Sequence, residues 1–231
     1  MKFASPLLRA ILLQRYKRFL ADVRLEDGRI VTAHCPNSGS IKTCNIPGNS
    51  VMVSFHDQPQ RKFKYTWEMI QVNGNWVGIN TSHPNKLVAE AIQSEKIPEL
   101  LDYFDIQGEV RINKSSRLDL LLTGSPGRCY IEVKNVTLLE EKMARFPDSV
   151  TVRGQKHLQE LIRSVKKGDR AVIFFVVQRQ DAELFSPADD IDPDYGRLLR
   201  KAVKSGVEIL VYQAVVNPHQ IVLSHRLPVN L

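Results

Sequence analysis

The sequence predicts a two-part fold, an all-β domain over residues 1–82 followed by an α/β domain over residues 83–231. Two observations predict it. Short strand-like segments separated by turns fill the first part. After Asn80, longer segments with apolar residues at helical spacing alternate with buried strand-like runs. The change of period marks the boundary between the two domains.

The first part begins with a predicted hairpin. Phe19–Leu25 alternates with a period of about two, 26–28 reads as a tight turn, and Arg29–Ala33 is the return strand. Further short strands are expected at Ser50–Phe55, Tyr65–Val72 and Trp76–Ile79. Several short strands in a small domain are typical of a closed barrel such as an OB-fold, although a sandwich has the same pattern.

The second part begins with a predicted helix at Ser82-His83-Pro84, since proline is common in a first helical turn. Two strands follow, at Ser116–Leu122 and Cys129–Val136. Next come a helix at Val152–Lys166, an apolar strand at Ala171–Gln178, a helix at Tyr195–Lys204 and an apolar strand at Val207–Tyr212. This alternation predicts a mixed sheet flanked by helices. The acidic stretch 189–194 is interpreted as a solvent-exposed loop.

Composition places the chain among ordinary globular proteins. It has 231 residues, of which 43% are hydrophobic and 25% charged. No apolar run approaches the ~20 residues of a membrane span, and the N-terminus does not resemble a signal peptide. Three cysteines at no regular spacing do not indicate a disulfide framework. We therefore expect a cytoplasmic protein with no membrane partner.

Positive charge is concentrated in the first part. The chain has a formal net charge of +7, and residues 1–82 hold 11 Lys and Arg against 5 Asp and Glu. A field of this sign concentrates polyanions, of which nucleic acid is the commonest. A basic protein without such a partner has the same charge, so charge alone leaves both interpretations open.

The segments Arg117–Leu122 and Tyr130–Lys134 contain the most informative residues. Strand alternation sends Ile131 and Val133 to one face and Glu132 and Lys134 to the other. Because a short turn joins the two strands, we expect Asp119 to lie beside Glu132. Two carboxylates and an ammonium would then share one patch on an otherwise apolar sheet.

Such a patch suits metal-dependent cleavage of a phosphodiester. Mg²⁺ or Mn²⁺ prefers carboxylate oxygens, and a nearby lysine can orient or deprotonate water. Glu90, on the preceding helix, is the candidate third metal ligand beside Asp119 and Glu132. Gln155 is the candidate for positioning a metal-bound water or a phosphate. The alternative, a cross-strand ion pair of Lys134 with Asp119 or Glu132, stays open.

Basic residues near aromatic ones provide candidate phosphate contacts, because cations neutralise phosphates without reading sequence. The candidates in the first part are Arg15, Lys17, Arg18, Arg61, Lys62 and Lys64, and those in the second part are Arg153 and Lys156. We expect the neighbouring aromatic residues, including Phe19, to belong to the core. His157 is a further candidate for contact with the DNA backbone, although a capping or packing role is favoured for it.

Several blocks occur together and in order. They are His34–Ser40, Arg61–Glu68, Asn80-Thr81, Arg117–Asp119, Ile131–Leu138, Phe146–Asp148 and Arg153–Leu158. On these blocks the chain resembles the sugar fermentation stimulation protein A family over essentially its whole length. The resemblance implies an OB-like N-terminal domain, a PD-(D/E)XK nuclease-like C-terminal domain, non-specific DNA binding and a regulatory role in sugar (maltose) metabolism.

On the nuclease-like pattern, Glu90 falls at the helix carboxylate, Asp119 at the first strand carboxylate, and Glu132 and Lys134 at the E-x-K. Leu118 stands where such a pattern often has proline. The expected function is sequence-independent DNA binding with a potential metal-dependent phosphodiesterase site. The alternatives are a non-enzymatic DNA-binding regulator that keeps the fold as a binding surface, and a protein-interaction or RNA-binding module.

Overall fold

The computed structural model describes residues 1–113 and 116–231. Its first sheet contains β1 (Leu8–Tyr16), β2 (Leu20–Leu25), β3 (Ile30–His34), β4 (Ser50–Phe55), β5 (Tyr65–Val72) and β6 (Asn75–Gly78). The strand order is β3-β2-β1-β4-β5-β6, and β3 also pairs with β5. That extra parallel pairing, with Ala33 opposite Tyr65, closes a five-stranded barrel to which β6 is added. The predicted OB-like barrel is confirmed.

Strand β1 has no counterpart in the sequence prediction. Apolar residues occupy consecutive positions from Ala10 to Leu13, so the alternation with period two is lost. The structure shows a further irregularity, since the register with β2 shifts between Leu12 and Gln14. A bulge of this kind moves following side chains to the other face, and period-based reasoning therefore misses the strand.

The second part is a mixed sheet flanked by helices, as predicted. Its helices are α1 (Pro84–Gln93), α2 (Val152–Lys166) and α3 (Pro193–Lys204). Its sheet has the order β15-β14-β12-β9-β8-β7, in which β9, β12 and β14 are parallel. These strands are β7 (Tyr103–Asn113), β8 (Ser116–Gly124), β9 (Gly127–Val136), β12 (Arg170–Val177), β14 (Glu208–Asn217) and β15 (Gln220–Arg226).

A small three-stranded sheet of β10 (Leu138–Glu140), β11 (Met143–Phe146) and β13 (Leu184–Pro187) lies beside the main one. Two 3₁₀ turns, Lys42–Cys44 and Pro98–Leu100, complete the regular structure. The apolar residues of α1 share one core cluster with one face of the main sheet, whereas α2 and α3 pack with the opposite face. Within the described residues, no helix is both long and apolar enough for a membrane crossing.

The barrel and the second part are joined by buried polar contacts. The amide of Gly78 donates to the carbonyl of Gln178 over 2.9 Å. Arg179 is 1% exposed, forms a two-armed ion pair with Asp181 and donates to the carbonyl of Thr137 over 2.7 Å. The barrel's Cys44 lies beside the same guanidinium. Residues 1–3 also contact the second part, where the backbone of Met1 pairs with Ile221.

Glu68, buried on β5, ties the barrel to the start of α1. Its carboxylate accepts hydrogen bonds from Ser54 Oγ and Asn80 Nδ2, and it lies 2.7 Å from His83 Nε2. Burial alone would raise the pKa of Glu68. The hydrogen bond and charge of His83, with the bonds from Ser54 and Asn80, outweigh burial, so the pKa is lowered.

Replacing Arg179 by alanine should destabilise the whole protein, because Asp181 and the carbonyl of Thr137 lose a buried charged partner. The expected loss in free energy of unfolding is about 3 kcal/mol. Urea titration followed by circular dichroism measures it. Arg197→Ala, which removes an exposed arginine paired with Asp194, should change stability by less than ~0.5 kcal/mol. Equal effects of the two substitutions would contradict the structural role of Arg179.

Glu68 should make folding sensitive to acid. A lowered folded-state pKa means that its stabilising contribution is present above the unfolded-state value, near 4.5, and is lost as the pH falls through the folded-state pKa. Glu68→Gln should therefore flatten the decline of unfolding free energy in this acid range. Urea midpoints measured from neutral to acid pH test this, with exposed Glu26→Gln as control. An unchanged acid profile in Glu68→Gln would refute it.

A candidate metal site between the two domains

A cavity of about 490 Å³ opens where the barrel meets the main sheet of the second part. Asp119 and Glu132, from β8 and β9, line it. The barrel contributes Arg18 and the loop at 37–39, and the second part also contributes the segment 145–151 and Arg153. We call this space the carboxylate cavity. It is the place where chemistry-bearing residues of both domains meet.

The antiparallel pairing of β8 with β9 brings the two carboxylates together. Leu120 pairs with Ile131, so Asp119 and Glu132 stand at the next position along the ladder, as predicted. Asp119 Oδ2 accepts from the amide of Val133 over 2.8 Å, and Oδ1 accepts from Asn85 Nδ2 over 2.9 Å. Burial, together with the neighbouring Glu132, raises the pKa of Asp119.

Glu132 is 2% exposed and stands on the opposite face of β9 from Ile131 and Val133, which belong to the α1-side core. Its Oε1 contacts both Lys134 Nζ, at 2.5 Å, and His157 Nδ1. Burial would raise the pKa of Glu132, but the charge of Lys134 and the bond from His157 dominate and lower it. Its Oε2 is buried without a hydrogen-bond partner in the described chain.

His157 is the site residue that sequence reasoning missed. Helix α2 begins after Thr151, whose side chain accepts from the amide of Gly154. From that start, His157 falls on the buried face with Leu158 and Leu161, and its ring reaches Glu132 and lies 3.4 Å from Lys134 Nζ. The available signal was its position on the apolar stripe of a helix that follows the E-x-K strand.

The prediction for Glu90 needs correction, because the structure does not bring this residue to the cavity. Its carboxylate pairs with the amino group of Met1 at 2.7 Å and lines a different depression with Leu87 and Val222. Asn85, rather than a carboxylate, faces Asp119 from α1. Glu90 follows Asn85 by five residues, which rotates the side-chain direction around the helix axis by roughly 140°. Glu90 therefore points to another side of α1.

The prediction for Gln155 is also wrong. Its amide nitrogen lies 3.0 and 3.2 Å from the two carboxylate oxygens of Asp192, away from the carboxylate cavity. Asp192 caps α3 by accepting from the amide of Tyr195 and also accepts from the amide of Thr151. Asp192 is buried, so the acidic stretch is not a wholly exposed loop. Gln155 ties α2 to α3.

The candidate basic residues divide into three groups: one that holds a loop, those that line a cavity or groove, and those on the barrel surface. Arg15 is a correction: its guanidinium donates to the carbonyls of Arg18, Asn37, Gly39 and Ser40, so it holds the barrel loop instead of facing a ligand. Arg18 and Arg153 line the carboxylate cavity. Lys156 lines an adjoining groove that also includes Arg153.

The remaining candidates lie on the barrel surface. Lys17 and Lys62 are exposed, and Arg61 is partly buried and donates to Thr66 Oγ1. Lys64 forms an exposed ion pair with Asp57. Phe19, expected in the core, is 49% exposed, because it stands at the turn between β1 and β2.

The carboxylate oxygens in the cavity fit one hard divalent cation as ligands. The orphaned, buried Oε2 of Glu132 is an anionic oxygen without a partner, and Asp119 supplies a second carboxylate next to it. No set of three His, Cys, Asp or Glu side chains converges at metal-binding geometry among the described residues. Mg²⁺ commonly uses only one or two protein carboxylates, with water and phosphate oxygens completing its shell.

Comparisons with known proteins agree with this architecture. Residues 13–79 match the family model described as the SfsA N-terminal OB domain. Residues 82–220 match the one described as the sugar fermentation stimulation protein RE domain. The chain belongs to this family. The family resemblance proposed from the sequence blocks is thereby confirmed.

Similar chains cover the full length. A sugar fermentation stimulation protein homolog of Geobacter metallireducens is 58% identical over 232 residues, covering 100% of both chains. Another, of Pelobacter propionicus, is 60% identical and covers 98% of both chains. The solved structure of Pyrococcus furiosus SfsA, described as a complex with Ca²⁺, is 31% identical with a TM-score of 0.92, covering 100% of this chain and 98% of that one.

Gln155→Ala should lower stability because Asp192 loses a hydrogen bond to its buried carboxylate. A bond to a charged group contributes about 1.5–3 kcal/mol, and thermal and urea unfolding would reveal the loss. Gln159→Ala, an exposed glutamine one turn later on α2, is the matched control and should be nearly neutral. If both variants unfold like the parent protein, the tie between α2 and α3 is not important for stability.

Proposed function

We propose that this chain is a divalent-metal-dependent phosphodiesterase that acts on DNA without sequence preference. One observation carries the proposal. Asp119 and Glu132, the latter with an unpartnered buried oxygen, lie beside Lys134 in a cavity whose walls bear Arg18 and Arg153. Carboxylates next to an ammonium and phosphate-binding cations are what hydrolysis of a charged ester requires.

Asp119 and Glu132 would hold Mg²⁺ or Mn²⁺, which supplies charge neutralisation of the phosphoryl group and a water of lowered pKa. The Ca²⁺ of the P. furiosus relative supports a hard cation and oxygen ligands in this family. Asn85 is a positioning residue here, because its bond to Oδ1 and the Val133 amide on Oδ2 fix the orientation of the Asp119 carboxylate.

The other residues of the cavity have distinct tasks. Lys134 Nζ, held at 2.5 Å by Glu132, donates to the attacking water or to a phosphate oxygen. His157 contacts the same Glu132 oxygen from α2 and keeps that carboxylate in place. Arg153 and Arg18 both line the cavity, where they can balance the charge that develops on the phosphate.

The concentration of positive charge in the barrel supports DNA as the substrate. Lys17, Arg18 and Lys62 are exposed on one domain with a net charge of +6 over residues 1–82. Arg61 and Lys64, although partly engaged, lie in the same segment. Such contacts neutralise phosphates without reading bases, so binding should be non-specific and should weaken as salt rises.

A second function, DNA-binding regulation without turnover, is favoured by one feature. Lys134 and His157 already pair with Glu132, so the carboxylate is neutralised by the protein itself, as in a structural ion pair. The relatives' name refers to sugar fermentation, in keeping with a regulatory role in sugar (maltose) metabolism. In that case the carboxylate cavity serves as a binding surface only.

Asp119→Ala tests which of the two functions holds. Purified protein with Mg²⁺ or Mn²⁺ should cut labelled DNA, and the substitution should reduce cleavage by more than the roughly 10–100-fold that loss of an outer-shell partner costs. Asn85→Ala should fall within that smaller range. Cleavage is measured on single-stranded, duplex and structured DNA.

Glu90→Ala is the matched control, since it removes a carboxylate of the preceding helix that lies outside the cavity. It should cleave like the parent protein. Calorimetric titration with Mn²⁺ provides a second readout, in which only Asp119→Ala should lose binding. Absence of cleavage on every DNA form, with DNA binding intact, would favour the regulator.

A further inference from the structure

A second depression adjoins the carboxylate cavity. It has a volume of about 590 Å³ and is lined by the cations Arg111, Arg117, Arg153 and Lys156. We call it the cationic groove. It shares Arg153 and His157 with the carboxylate cavity, so one surface runs from the groove to Glu132. None of the described residues that line the groove is acidic, and the ligand it suits is a polyanion.

Ser116 provides an independent sign that the groove holds a ligand. This residue is 6% exposed, lines the groove, and its hydroxyl oxygen is buried with no hydrogen-bond partner among the described residues. Buried hydroxyls are normally hydrogen-bonded. A phosphate oxygen between Ser116 and the guanidinium of Arg117 would satisfy it.

Two exposed valines indicate what else the ligand presents. Val150 is 66% exposed and lines the carboxylate cavity, and Val152 is 74% exposed and lines the cationic groove. They flank Thr151 at the start of α2, beside the cations. A duplex hides its bases in the stack, whereas a single strand offers apolar base faces for such contacts.

The barrel limits the shape of the ligand at the other end. The loop at 37–39 lines the carboxylate cavity, and the residues that follow it are held to Asp148. Ser40 Oγ donates to the carbonyl of Asp148, and the amide of Ile41 donates to its carboxylate. A cavity of about 490 Å³ is in the range that holds small ligands. It therefore suits a few nucleotides of one strand.

We propose that the cationic groove is a binding track for single-stranded nucleic acid that leads into the carboxylate cavity. Phosphates contact Arg111, Ser116 and Arg117, bases rest on Val150 and Val152, and one phosphodiester reaches Asp119 and Glu132. The inference rests on the proposed function for its last step, delivery of the phosphodiester. The binding track itself requires no turnover.

Fluorescence anisotropy in EDTA tests the track without cleavage. The probes are a fluorescein-labelled single-stranded oligonucleotide and a hairpin duplex with the same number of phosphates. The parent protein should bind the single strand more tightly. Arg117→Glu should weaken that binding by about tenfold and lower the slope of log K against log salt by about 0.7 for each lost phosphate contact. Ser116→Ala should weaken it several-fold.

Arg197→Glu is the matched control. Arg197 and Arg117 are both exposed, and each pairs with an exposed carboxylate of its own. Arg197 lines neither the carboxylate cavity nor the cationic groove. It should bind like the parent protein. Equal affinity for the duplex and the single strand, or equal effects of Arg117→Glu and Arg197→Glu, would overturn the track.

Thermal melting shows whether each variant is folded. If Arg117→Glu melts early, Ser116→Ala, which removes one oxygen atom, decides the test: weaker single-strand binding supports the track and unchanged binding overturns it. Failure of the two proposals looks different. Loss of cleavage with intact single-strand binding counts against the phosphodiesterase only, whereas cleavage with no single-strand preference counts against the track only.

Discussion

The site depends on one interaction, the contact of the Glu132 carboxylate with Lys134 and His157. A carboxylate that is 2% exposed cannot stay ionised in an apolar sheet unless partners compensate for lost hydration. Lys134 comes from the same strand and His157 from α2. Docking of α2 against β9 therefore positions the charge, and the second oxygen of Glu132 has no hydrogen-bond partner among the described residues.

The barrel completes the site as well as contributing charge. Its loop at 37–39 is held from within by Arg15 and from outside by Asp148. A Cβ on Gly39 would meet the Asp148 carboxylate at 2.6 Å, so the approach of the two domains leaves no room for a larger residue. The same contacts that join the domains also line one part of the carboxylate cavity.

Local sequence patterns were enough to predict the buried helix α2 and the buried strand β9. Helix α2 has the predicted bounds, and β9 follows the alternation that puts Glu132 and Lys134 opposite Ile131 and Val133. Two other strands were harder to predict. Strand β7 lies at the edge of the main sheet, where Gly108 interrupts the apolar alternation of Ile106, Val110 and Ile112. Strand β1, inside the barrel, loses its period at a bulge.

The sequence by itself determined the two-part organisation, the pairing of Asp119 with Glu132 and the family, because each depends on neighbours in the chain or on whole blocks of residues. Only the tertiary structure decided the rest of the site. It replaced Glu90 with Asn85, moved Gln155 to Asp192 and brought His157 to the carboxylates. Helical spacing shows which residues share a face, but the packing of each helix on the sheet decides what that face meets.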